Sequence, residues 1–200
     1  MTLSELAVAM SIMVIVFTVG LGGLVAVQRS YNTESDRAQT NDQGRLALEE
    51  LQREIVSGNV LYDPGAEAAP YSPNYSLRIY TQSNANTRTP GYQCVQWVIS
   101  GGSLLRRSYP EGQPTLASDW RTIATGIVNQ SLSPPVPAFM LSTDPQKGYP
   151  AAPRTMDIVL MAKTNASSPS SSAVRLETSV TGRDTAFGFP RDPCPAPASI

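Results

Sequence analysis

The segment Leu6–Val27 (LAVAMSIMVIVFTVGLGGLVAV) carries no charged residue and decides how the rest of the chain is interpreted. At about 1.5 Å per residue, a helix over these positions is about 33 Å long, enough to cross a bilayer core of roughly 30 Å. Glu5 precedes the segment and Arg29 follows it. We therefore predict an apolar helix over residues 1–28, suited to a membrane or to the core of a protein assembly.

Three interpretations of this helix are open on the residues alone. A cleavable secretory signal needs a basic stretch before a shorter apolar core, and this segment has neither feature. A plain membrane anchor explains the length but not Glu5, because a carboxylate near the end of a membrane helix is costly and usually has a partner. The third interpretation is a helix that later enters the core of a protein polymer, where a neighbouring chain neutralises Glu5.

The first six residues, Met1-Thr2-Leu3-Ser4-Glu5-Leu6, resemble the mature N-terminus of type IV pilins and pseudopilins. The resemblance implies that a prepilin peptidase removes a short basic leader and that the new terminus, Met1, is N-methylated. It also implies that Glu5 faces the terminal amine of an adjacent subunit and so directs assembly. Ser4 departs from the family, which usually has an aliphatic residue at this position.

Three glycines, Gly20, Gly22 and Gly23, stand near the position at which many pilin helices bend at a proline. Each glycine costs about 1 kcal/mol of helix stability relative to alanine. We therefore expect local loosening of the helix at residues 19–24. The alternative is that these small residues allow close packing between helices, as they do in membranes.

Residues 29–58 continue the helix with an amphipathic pattern. Leu48, Leu51 and Ile55 form an apolar stripe at i, i+3 and i+7, which we expect to bury against the rest of the chain. The pair Gly58-Asn59 predicts the C-terminal end of the helix. The charged residues most simply form a solvated face, and the alternative is pairing with neighbouring subunits. These charges are Arg29, Glu34, Asp36, Arg37, Asp42, Arg45, Glu49, Glu50, Arg53 and Glu54.

The sequence pattern of residues 59–200 predicts a β-rich head with a Pro-rich tail. Short β-branched and aromatic runs are separated by Pro, Gly, Ser, Asn and Thr, which is typical of strands and turns. The pair Gly101-Gly102 between two such runs predicts a hairpin. The fold class is therefore α+β: a long N-terminal α-helix, its apolar half protruding, packed on an antiparallel β-sheet. The predicted strands cover 77–81, 94–99, 104–109, 120–128, 156–164 and 173–181.

The strand order from Cys94 to Tyr109, followed by residues 120–128 and 173–176, loosely resembles J-class pseudopilins and W-type minor pilins. The looser resemblance of the head suits a minor subunit, and the resemblance of the N-terminus implies a structural subunit of a type IV pilus-like filament, alone or with other pilin subunits. It implies a single-pass protein of the inner membrane before assembly, served by an assembly platform, and an extracellular filament at the cell surface afterwards. The alternatives are a minor pseudopilin that initiates or caps a type II secretion pseudopilus, and a membrane-anchored binding domain that never polymerises.

Cys94 and Cys194 are the two cysteines of the chain. In an exported head they meet an oxidising compartment, where an even number of cysteines indicates a bridge. A bridge between them closes a loop of roughly 100 residues, worth up to about 4.7 kcal/mol in the chain-entropy model. Two free thiols are the alternative.

The composition argues against most enzyme classes. Histidine is absent, which removes Ser-His and Cys-His nucleophile systems and His-ligated zinc. We predict that the chain is not an enzyme and has no cofactor or metal. Its 15 basic and 16 acidic residues give a net charge of −1, so no bulk field attracts nucleic acid. Tyr71, Tyr75 and Tyr80 with Arg78 form either a binding surface or, as we favour, core and strand positions.

Overall fold

The computed structural model describes residues 3–67, 70–82, 91–142, 155–163, 173–182 and 192–197. For Leu3, Glu5, Asp36 and Ser142 it describes the backbone alone. The chain forms two compact units, Met1–Gln39 and Thr40–Ile200. Helix α1, Leu3–Ser57, contributes residues to both units. The α+β class predicted from the sequence is confirmed.

Helix α1 ends at Ser57, directly before the predicted stop, and strand β1, Gly58–Leu61, begins at the next residue. Gly58 leaves no room for a side chain, because a Cβ there would lie 2.7 Å from Cγ2 of Ile79 and 3.2 Å from the carbonyl oxygen of Glu54. Glycine therefore lets the chain pass from helix to strand in close contact with the neighbouring strand.

The first sheet has five antiparallel strands in the order β1-β2-β3-β4-β5. The predicted hairpin is confirmed: Gly101 and Gly102 have φ of 56° and 74°, and Ser100 pairs with Ser103 across the turn. Glycine accepts two successive positive φ values without strain. The remaining strands are β2, Ser76–Gln82, β3, Tyr92–Ser100, β4, Ser103–Pro110, and β5, Arg121–Thr125, with short 3-10 turns at Pro64–Ala66 and Pro114–Leu116.

The head contains a second sheet, whereas the sequence predicts one. Its three antiparallel strands are β6, Phe139–Ser142, β7, Thr155–Ala162, and β8, Val174–Thr181, in that order. The predicted strand 120–128 ends early, at Thr125, because Gly126 turns the backbone with a φ of 73°. The chain then meets the second sheet through one isolated bridge, between Ile127 and Ala162.

The main core lies between the last turns of α1 and the two sheets. The predicted stripe is confirmed: Leu51 and Ile55 are fully buried and Leu48 is 9% exposed. Burying one such aliphatic side chain is worth roughly 1.5–3 kcal/mol. Trp97 of β3 and Ile158 of β7 pack in the same cluster. The core therefore fixes residues 40–57 of the helix as part of the head unit.

Candidate assembly segment and head contacts

Unit 1 presents an uncovered apolar helix. From Leu6 to Val27 the large apolar side chains are exposed, from 44% at Val25 to 71% at Val19. The helix is long and apolar enough to span a membrane. An apolar surface of this extent on a helix is typical of a segment that is covered by lipid or by other protein chains.

The polar side chains inside this segment bond to the helix itself. Ser11 donates its hydroxyl to the carbonyl of Ala7 over 2.8 Å, and Thr18 donates to the carbonyl of Val14 over 2.7 Å. An unsatisfied hydroxyl would be costly in an apolar environment, and these bonds remove that cost. The segment can therefore enter lipid or a protein core without a polar group that needs water.

The predicted assembly residues lie at the start of this helix. Met1 lies outside the described residues, and Glu5 is described by its backbone alone, within α1. The N-methylated terminus and the Glu5 contact with a neighbouring amine therefore stay predictions.

The three glycines lie within an unbroken stretch of α1. A Cβ added at Gly20, Gly22 or Gly23 would meet no atom within 4 Å. The backbone at these positions is therefore open to a closely approaching partner, which is the condition for small-residue helix packing. The local loosening predicted for residues 19–24 stays a prediction.

An ionic cluster joins the last turns of α1 to the first sheet. Glu54 accepts hydrogen bonds from the indole N–H of Trp97 at 2.6 Å and from Nε of Arg106 at 2.7 Å. Glu50 pairs with Arg121, and its carboxylate also lies 3.7 Å from Arg106. The interpretation of this charge run as a solvated face is therefore wrong for Glu50 and Glu54, which hold the helix to the sheet.

Glu54 sits in a low-polarity environment. Burial raises the pKa of this carboxyl above its ordinary value of 4.5, and the nearby Glu50 acts in the same direction. The hydrogen bonds and charge of Arg106 and the bond from Trp97 oppose the shift without cancelling it. The cluster is therefore a partly buried ion pair whose acid pays a desolvation cost for its position.

The predicted disulfide is confirmed: Cys94 and Cys194 are bonded, with 5.6 Å between their Cα atoms. Cys94 lies on the face of β3 opposite Val95 and Trp97, which belong to the main core. The bridge packs in a smaller buried cluster with Tyr80 and Tyr109. It therefore fastens residues 192–197, here called the tail, to the outer face of the five-stranded sheet.

The residues beneath the tail form a surface here called the tail groove. They hydrogen-bond mainly to the main chain of the tail, and the tail carbonyls of residues 193, 194, 195 and 197 each accept one bond. The backbone N–H of Gly112 donates to carbonyl 193 at 3.0 Å, and Nη1 of Arg78 donates to carbonyl 194. The hydroxyl of Tyr109 donates to carbonyl 195 at 3.0 Å, and the hydroxyl of Tyr71 donates to carbonyl 197 at 2.8 Å. The groove is defined by Tyr62, Tyr71, Arg78, Cys94, Tyr109 and Gly112.

Arg78 is fixed by its neighbours in the groove. Its Nε lies 2.6 Å from Oε1 of Glu67, and its guanidinium stacks 4.4 Å from the ring centre of Tyr62. Tyr71 and Tyr80 are 2% and 1% exposed. The interpretation as a core and strand position is therefore confirmed for Tyr80, which lies on β2. Tyr71 is also buried, but it lies outside the strands and binds the tail.

Asn129 is a buried structural residue that the sequence reasoning missed. Its amide donates to the carbonyls of Val136 and Val159, and its Oδ1 accepts from the backbone N–H of Met161. The tripeptide Asn129-Gln130-Ser131 matches the N-glycosylation pattern, but the Asn129 side chain is fully buried and is therefore not accessible to a sugar. An Asn beside β-breaking residues could be noticed in the sequence, but its distant strand partners could not.

The described part of the head contains no cluster of side chains suited to hold a metal ion. Within those residues, no three Cys, Asp or Glu side chains come close enough to hold a metal ion. Several acids are engaged in other ways: Glu111 accepts from the hydroxyl of Tyr80 at 2.7 Å, and Asp157 accepts from Ser179 at 2.5 Å. These contacts stabilise strands and do not converge on a site.

The chain matches no protein-family model, no curated protein and no solved structure. Membership of the pilin superfamily therefore stays a prediction that rests on residues 1–30.

Proposed function

We propose that this chain is a structural subunit of a type IV pilus-like filament, with a pilin-like fold and no enzymatic activity. In this proposal residues 1–28 of the chain anchor the protomer in the membrane before assembly. The same segment later packs among the helices of other subunits. Partner subunits are copies of this chain or other pilins, and a peptidase and an assembly platform act on it at the inner membrane. The assembled filament is extracellular.

One observation carries the proposal: the uncharged, exposed segment Leu6–Val27 belongs to the same unbroken helix as the buried stripe of the head. A simple anchor would need only the apolar segment, with any apolar residue at position 5. Glu5 lies one turn before Ala9 on the same helix. A carboxylate at such a position usually has a partner, so Glu5 supports the view that the helix binds a specific protein.

Neutralisation of Glu5 supplies a driving force and a register in this proposal. A lone carboxylate in an apolar helix bundle is several kcal/mol unfavourable. The amine of Met1 on a neighbouring subunit offsets that cost at only one axial position. Assembly also replaces lipid contacts of the helix by close contacts with other helices, which the open backbone at Gly20, Gly22 and Gly23 favours. This exchange stabilises the filament through van der Waals packing and not through the hydrophobic effect, because lipid is as apolar as the helices.

The head supports the proposal because its stability is internal. Unit 2 has its own core, the cluster around Glu54 and the bridge between Cys94 and Cys194. Nothing in these contacts requires a particular environment around residues 6–27. The apolar helix can therefore pass from lipid to a filament core while the head stays folded.

Glu5→Ala and Glu5→Val test the proposal in cells. Removing one partner of a buried ion pair costs roughly 3–5 kcal/mol. We therefore expect filament yield to fall about 100-fold or more. Membrane insertion and the Cys94–Cys194 bridge should be unchanged. Glu177→Ala is the control, because Glu177 is an acid on β8, away from the helix, and forms an exposed pair with Arg175. Normal filament yield from the Glu5 variants would contradict the register role.

A further inference from the structure

The tail is recognised through its main chain. Four of its carbonyls accept hydrogen bonds from the tail groove, and the backbone N–H of Cys194 donates to the hydroxyl of Tyr62 at 2.9 Å. One tail side chain takes part in the hydrogen bonding described: Oδ1 of Asp192 accepts from Tyr62 at 2.9 Å. Recognition of this kind selects a backbone shape more than a set of side chains.

The tail sequence suits that kind of recognition. Pro193, Pro195 and Pro197 alternate with Cys194 and Ala196. Proline fixes φ near −65° and has no N–H, so three of the five residues lose little freedom on docking and bury no donor. Pro193 and Pro197 are buried in the groove. Pro-rich segments bind aromatic-lined grooves in this manner.

The groove donors are held in place by groups other than the disulfide. Arg78 is fixed by Glu67 and Tyr62, as described above. The hydroxyl of Tyr71 accepts from Arg107, whose Nε donates to Oε1 of Gln96 at 3.0 Å and whose guanidinium lies 4.1 Å from the ring centre of Trp120.

The tyrosine hydroxyls also keep their protons under ordinary conditions. Burial raises the pKa of Tyr109 to about 12, and burial raises the pKa of Tyr71 as well. Both hydroxyls therefore remain available as donors across the physiological pH range.

We infer that the tail groove binds a Pro-X-Pro-X-Pro segment in its own right, with the disulfide as a lock, and that the tail of a second copy of this chain can occupy it. Every copy carries both the groove and a matching tail. Nine residues, 183–191, connect Gly182 to Asp192. Fully extended, these nine residues span at most about 32 Å. Exchange of an identical element between copies is a common route to association. The inference concerns the head unit and does not require filament assembly.

The first test asks whether the groove holds the tail without the bridge. In the full chain in detergent, Cys94→Ser with Cys194→Ser should leave the amide of residue 194 protected from hydrogen exchange. Adding Tyr71→Phe and Tyr109→Phe removes two donors and keeps both rings, and protection should fall about 10- to 100-fold. Arg175→Ala is the control, since Arg175 lies on β8 and pairs with Glu177. If the double serine variant alone loses protection to the level of a free peptide, the groove has no affinity of its own.

The second test asks whether a second copy can supply the tail. Full chains carrying Cys194→Ser and full chains carrying Cys94→Ser are mixed in detergent with oxidised glutathione. The thiols of Cys94 on one chain and Cys194 on the other are oxidised to one disulfide while one glutathione disulfide is reduced to two thiols. We expect a mixed covalent dimer that disappears when the tail donor also carries Pro193→Gly, Pro195→Gly and Pro197→Gly. No dimer, or an equal yield with the glycine tail, would overturn the exchange.

Discussion

Trp97 and Glu54 join the central strand of the five-stranded sheet to the end of α1, with 2.6 Å between the indole nitrogen and Oε2 of the carboxylate. Arg106, on the adjacent strand β4, donates to the other oxygen of the same carboxylate. A partly buried acid with two separate donors fixes both the rotation and the height of the helix on the sheet. This contact therefore sets the position of the helix residues within the head.

Glu54→Ala should lower the free energy of unfolding of the head by about 2–3 kcal/mol, because it leaves Arg106 and the indole N–H of Trp97 without their acceptor. Glu49→Ala is the matched control: Glu49 is an exposed acid on the same helix, and its loss should change the free energy by less than about 0.5 kcal/mol. Denaturant unfolding followed by tryptophan fluorescence measures both. Equal effects of the two substitutions would contradict the assigned role of Glu54.

The pH dependence of stability should carry a contribution from Glu54. Its pKa is raised in the folded state, so the folded protein holds this proton to higher pH than the unfolded chain does. The contribution is full below about pH 4.5 and is lost as pH rises through the folded pKa. The difference in unfolding free energy between the native protein and Glu54→Gln, measured from about pH 4 to about pH 7, should fall with pH. A difference that grows with pH would show the opposite shift.

Replacing both cysteines by serine should lower the free energy of unfolding by up to about 4.7 kcal/mol, since the bridge closes a loop with a sequence separation of 100 residues. Mass spectrometry of unreduced peptides should link Cys94 to Cys194 directly. Full labelling of both thiols in the folded, unreduced protein would rule out the bridge.

Alanine at Gly20, Gly22 and Gly23 should slow amide exchange at residues 19–24 by about fivefold per substitution, because each change adds about 1 kcal/mol of helix stability. Head unfolding should not change, because a Cβ at these positions meets nothing within 4 Å beyond the adjacent backbone of its own helix. Exchange rates in detergent micelles measure this. Unchanged rates in the triple variant would mean that the glycines do not loosen the helix.

Local patterns predicted the elements whose signals are local. The stripe of Leu48, Leu51 and Ile55 follows the helical period, and the hairpin at Gly101-Gly102 follows from turn chemistry. The break at Gly126 was missed, because a single glycine in a strand pattern does not say whether the sheet continues. The division into two sheets depends on that break and on distant pairing with Ala162.

The head contacts were harder to predict than the apolar segment. Residues 6–27 are recognised by composition alone, and the bridge between Cys94 and Cys194 was predicted from the even cysteine count together with the expected export of the head. The pairing of Glu54 with Arg106 joins residues 52 positions apart, and a charge on a helix looks the same in sequence whether it faces water or a strand. The tail groove likewise depends on tertiary contacts between β2, β4 and the chain end.

Negative-stain imaging of fibres sheared from the cell surface, with mass spectrometry of their components, tests the central claim most directly. The proposal predicts fibres that contain this chain, with Met1 as a methylated terminus. The contradicting result is a chain that remains monomeric in the membrane fraction of cells, absent from every fibre.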